Sequence, residues 1–110
     1  MAQTKAQQIM ASSNERSGEE VTSAILAIAA EFEPYIIRQR RHFHKHPELS
    51  LQEVRTTSDI AGQLDAMNIP YERPLKTGLV ATVRGTAPDA YRADGTPRRR
   101  LLMRADIDAL

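Results

Sequence analysis

The chain has 110 residues, 41% of them hydrophobic and 26% charged, which bounds it to at most one domain of ordinary globular composition. With 15 basic against 14 acidic side chains the net charge is +1, so no global field steers it to nucleic acid or an anionic membrane. It has no cysteine, which excludes a disulfide framework and any thiolate-bound zinc.

Residues 1–18 lack the apolar run of a secretory leader and read as a disordered lead-in, leaving 19–110 as the structured part. The apolar stretch Ala24 to Ala30 is too short to span a bilayer. Ser17-Gly18-Glu19-Glu20 has the S-x-x-E form of a capping box, which predicts a helix from about Glu19 to Lys45. Val21, Ile25, Ile28, Phe32, Ile36 and Phe43 recur at helical spacing, one apolar stripe in search of a core. Pro34 removes a ladder hydrogen bond inside that pattern and predicts a bend or break near Phe32. Glu19 and Glu20 at the front and Arg38, Arg40, Arg41 and Lys45 at the rear match the helix dipole.

His42, His44 and His46 alternate at the end of this helix and are all the histidines of the chain. Alternation fits a zinc site poorly, because on a helix only His42 and His46 share a face while His44 points away. Spacing alone leaves the question open. Glu48 and Glu53 read as turn and capping groups.

Ser50-Leu51-Gln52-Glu53 repeats the capping box and predicts a second helix over Leu51 to Met67, with Leu49 and Val54 placed for a hydrophobic staple. Val54, Ile60, Ala61, Leu64 and Met67 supply its apolar face. Asn68 stands where a left-handed residue ends a helix, with Ile69 folding back on Leu64 in a Schellman turn. Short extended segments follow around 70–73, at Leu79 to Val83 and at Leu101 to Met103, two or three strands in all. The Pro- and charge-rich connection between the last two should turn at Asp94-Gly95, with Arg98, Arg99 and Arg100 solvated.

The last strand runs into Arg104-Ala105-Asp106-Ile107-Asp108-Ala109-Leu110, two carboxylates just past a strand end, where α/β folds build sites. An isolated D-x-D more often caps a turn. Taken in order, however, RQRRHFHKHPELSLQE, KTGLVATVRGT and LLMRADIDAL resemble the opening of the metal-dependent amidohydrolases of the M20 peptidase family. The nearest branch hydrolyses hippurate, indoleacetyl-amino acids and N-acyl amino acids. Its patterns R-R-x-x-H-x-x-P-E-L-S-x-x-E, T-G-[VL]-x-A and R-A-D-M-D-A-L-P are matched over Arg40 to Glu53, Thr77 to Ala81 and Arg104 to Leu110. Ile107 replaces the usual methionine, and Asn68 stands where glycine is common.

The resemblance implies an α/β fold, the N-terminal part of a three-layer αβα zinc-peptidase-like catalytic domain. It places His44 at the helix junction and not among the metal ligands, and implies that His42, His44 and His46 are structural or solvated side chains that bind no metal. It implies that Asp108 supports a ligand histidine from the outer shell and that Asp106 falls where related branches carry a ligand histidine. The full-length enzyme would be a cytoplasmic homodimer using two divalent metals, zinc or manganese, to hydrolyse a small N-acyl amino acid or peptide, without nucleic-acid or membrane partners. Its inner ligands would lie in a later Cys-Gly-His motif and beyond, so the expectation is an N-terminal portion inactive alone. The alternative is a stand-alone basic helical module that uses Arg38, Arg40, Arg41, Lys45 and Arg98 to Arg100 on an acidic partner or nucleic acid. Near-zero net charge and 5% aromatic content argue against it.

Overall fold

A computed structural model of the chain describes residues 17–108. Apart from Ser17 and Gly18, the expected lead-in lies outside the described residues. The chain divides into two compact units between Arg41 and His42.

Among the described residues the first unit holds helix α1, Gly18–Lys45, whose residues from His42 on belong to the second unit. It starts as its capping box requires. The Ser17 backbone N–H donates to Glu20 Oε2 at 2.9 Å and the Glu20 N–H donates to Ser17 Oγ at 3.4 Å, two end groups satisfied reciprocally. Of the bend or break expected near Phe32, the break does not occur. The helix is continuous through Pro34, whose missing N–H costs one ladder bond without ending the hydrogen-bonded run. The apolar stripe finds no core, since no residue of α1 is buried and Ile25, Phe32 and Ile36 stand exposed.

In the second unit, α2 covers Val54–Ala66, and an antiparallel pair, β1 (Tyr71–Glu72) and β2 (Val80–Ala81), follows in register Tyr71↔Ala81 and Glu72↔Val80. The Thr82 N–H adds a bond to the Pro70 carbonyl at 3.1 Å. Helix α2 begins three residues later than its capping box predicts. Leu51 takes a left-handed φ of 65°, which interrupts the helical path, and Gln52 closes a turn onto the Leu49 carbonyl at 3.0 Å. The staple does not form, because Leu49 and Val54 are both exposed. The C-terminus follows expectation: Asn68 has φ 56°, the Ile69 N–H reaches the Leu64 carbonyl at 2.9 Å and the Asn68 N–H reaches Asp65 at 3.1 Å, a complete Schellman motif.

The expected hairpin also forms. Tyr91 bridges Pro97, the Arg92 N–H donates to the Thr96 carbonyl at 2.8 Å, and Gly95 supplies the left-handed turn with φ 80°. Asp94 Oδ1 accepts the Thr96 hydroxyl at 2.6 Å and its backbone N–H at 2.9 Å, and these bonds hold the carboxyl below its usual range. Arg98, Arg99 and Arg100 are exposed, as expected. The third strand is absent among the described residues. Leu101, Leu102 and Met103 make no ladder and are 86%, 90% and 84% exposed, since an extended segment becomes a strand only where a partner supplies backbone groups.

Candidate functional site

Buried groups concentrate at the start of α2. Among the described residues Glu53, Thr56, Thr57 and Ala61 are buried, and three of these four are polar. Each polar one has its partners. Glu48 sits outside the helix and caps it, with Oε2 accepting the Arg55 N–H at 3.1 Å and Oε1 accepting the Thr56 N–H at 2.6 Å and hydroxyl at 2.7 Å. The Thr56 hydroxyl and N–H, and then Arg55, keep the Glu48 carboxyl below its usual range against the opposing cost of burial. Its capping role matches the sequence reading.

Glu53 precedes the first helical residue but makes no side-chain capping bond to α2. Its carboxyl is lowered first by its own backbone N–H and then by the Thr77 hydroxyl and the Leu51 N–H, while burial and the Glu48 charge push the other way. The left-handed turn at Leu51 thus brings a donor to Glu53. Thr57, 1% exposed, donates its hydroxyl to the Glu53 carbonyl at 2.6 Å and accepts the Gly78 N–H at 2.8 Å. Gly78 has φ 79°, a backbone state that glycine adopts without the Cβ penalty. The Pro-Glu-Leu-Ser and Thr-Gly segments are therefore tied together through α2 by hydrogen bonds. Thr56 and Thr57 were not marked in the sequence. Two adjacent threonines inside the first turn of a helix, where their hydroxyls compete for backbone groups, are the signal that could have found them.

The histidines behave as their spacing implies. The rings of His42 and His46 stack with centroids 5.0 Å apart at 25°, while His44 is exposed. His42 Nε2 donates to Asp59 Oδ2 at 2.7 Å, and the His42 ring meets Phe43 edge-on at 5.4 Å. Nδ1 of His46 is buried without a partner. Burial foremost, then Arg55, His42 and Lys45, hold His46 below the usual imidazole range, with Asp59 opposing. His44, which the resemblance places at the junction, is exposed, and His42 and Glu48 make the bonds there. Asp59 is the partner that sequence reading missed.

Asp106 and Asp108 follow the exposed 101–103 segment. Asp106 Oδ1 accepts the Arg104 guanidinium at 2.7 Å in an exposed pair, which contributes about 0–1 kcal/mol, and Asp108 is half-buried. Among the described residues no three His, Asp or Glu side chains converge in a way that would hold a metal ion. No described helix is long and apolar enough to cross a membrane.

Curated proteins similar to the chain are named uncharacterized hydrolases. One from Staphylococcus saprophyticus is 52% identical over 62 residues, which cover 54% of this chain and 16% of the relative. One from Staphylococcus epidermidis is 42% identical over 76 residues, covering 69% and 17%. A Staphylococcus aureus relative is 48% identical over 62 residues, covering 54% and 16%. The chain thus spans about one-sixth of the length of the relatives it matches. No family model and no solved structure matches it. These similarities support a hydrolase kind and leave its chemistry open.

Proposed function

We propose that this chain is the N-terminal portion of a metal-dependent amidohydrolase of the M20 type, which cleaves the amide bond of N-acyl amino acids or related conjugates. The observation that carries the reading is 52% identity to a named hydrolase about six times longer than the matched stretch. The order of the three segments ending at Arg104 to Leu110 supplies the finer class. On this reading the two helices and the β1–β2 pair begin a three-layer αβα domain, and the full-length enzyme is homodimeric.

The described residues do not fit a dinuclear metal centre. His42 Nε2 is engaged by Asp59, Asp106 by Arg104, and no third donor joins either pair. The proposal therefore gives this chain no metal of its own. Its residues do positioning work: Glu48, Glu53 and Thr57 fix the Pro-Glu-Leu-Ser and Thr-Gly segments on α2. Asp106 and Asp108 are the groups it would contribute to the outer shell of a site completed elsewhere, where such groups orient the ligands. The test is replacement by alanine of the aspartate matching Asp108 in a full-length relative that carries the motif. Hydrolysis of N-acetyl amino acids or hippurate should fall by about ten- to a hundredfold in kcat. Unchanged turnover contradicts the role given to Asp108.

A further inference from the structure

Two imidazoles lie near one carboxylate where the end of α1 meets α2, and one of them is bonded to it. Asp59 is hydrogen-bonded to His42 at 2.7 Å, and the His46 ring stacks on that of His42 with centroids 5.0 Å apart. Around His46 stand Arg55 and Asp59 from α2 and His42 and Lys45 from α1, three groups able to carry positive charge against one carboxylate. A neutral His46 tolerates its buried, unpartnered Nδ1 as a bare lone pair. A protonated His46 has an N–H there with no acceptor, and it adds a cation beside Arg55 and Lys45.

We infer that His42, Asp59 and His46 form a proton-operated latch that holds residues 42–48 onto α2 while His46 is neutral and releases them when His46 takes a proton. Release reaches the helix end directly. Glu48 lies two residues beyond His46, and its carboxylate caps Arg55 and Thr56. The latch is independent of any hydrolytic role for the chain.

The sign follows from linkage. A base whose folded pKa is depressed binds fewer protons folded than unfolded, so its stabilisation is full above the ordinary imidazole pKa of 6.5 and is lost as pH falls from there through the depressed folded value. The test is a proton NMR titration of the 110-residue chain, folded and in urea, with amide exchange of Thr56 followed alongside. The His46 midpoint should lie lower in the folded than in the unfolded chain. Thr56 protection, corrected for intrinsic exchange, should fall about tenfold or more between about pH 7.5 and about pH 5. His46→Phe, which keeps a stacking ring without a titrating group, should hold that protection constant. A His46 midpoint equal to or above the unfolded one, protection unchanged across the range, or the same loss in His46→Phe would each overturn the latch.

Discussion

Thr57 donates and accepts at once, and that double use lets a polar side chain be the most buried of the described residues. Thr57→Val keeps the shape but leaves the Gly78 N–H without its acceptor, at a cost of about 1–3 kcal/mol. Thr57→Ser keeps both bonds and should recover most of it, and urea unfolding of the two variants separates hydrogen bonding from packing. Leu51 presents the opposite case, a large side chain 81% exposed on a left-handed backbone. Leu51→Gly removes about 1–2 kcal/mol of backbone strain and returns about 0.4–1 kcal/mol as unfolded-state entropy. A net gain of roughly 0.5–1 kcal/mol is expected in the same experiment, with no packing lost.

At the scale of elements, the caps were only partly legible. Ser17 with Glu20, and Asn68 with Ile69, act through local hydrogen bonds within three to five residues, which a short sequence window contains in full. Ser50 with Glu53 matched the same window pattern, but the competing claims on Glu53 come from Leu51 and from Thr77, 24 residues away, and no window shows those. The cap that replaces it, Glu48, is itself seven and eight residues from its partners. The segment 101–103 reads as a strand for its composition, yet strands are made by partners, and no described residue pairs with it. The pair Asp106 and Asp108 was visible only through its motif, because nothing local fixes what a D-x-D faces. The Glu48 cap carries its own pH signature. A depressed carboxyl stabilises fully above its unfolded value of 4.5, and that contribution disappears as pH falls through the lower folded value. Glu48→Gln should lower the thermal midpoint at neutral pH by about 4–8 °C and flatten its decline on acidification. A parallel acid limb in the variant would show that Glu48 does not cap α2.

Among the described residues the buried set is small and mostly polar, while large apolar side chains on α1 and at Leu101, Leu102 and Met103 face solvent. A two-stranded ladder with open edges adds little stability of its own. The 110-residue chain should therefore be marginally stable and prone to self-associate, which sedimentation velocity over a concentration series would register as growing s-values. Both properties suit a chain that spans about one-sixth of its hydrolase relatives and is proposed to complete its core against the remainder. The most direct measurement is release of free amino acid from hippurate and N-acetyl amino acids with manganese or zinc supplied, run on the 110-residue chain beside the Staphylococcus saprophyticus relative. The account predicts metal-dependent release by the relative and none by the chain. Metal-dependent hydrolysis by the chain itself, abolished in Asp108→Ala, or an inert relative, would contradict it.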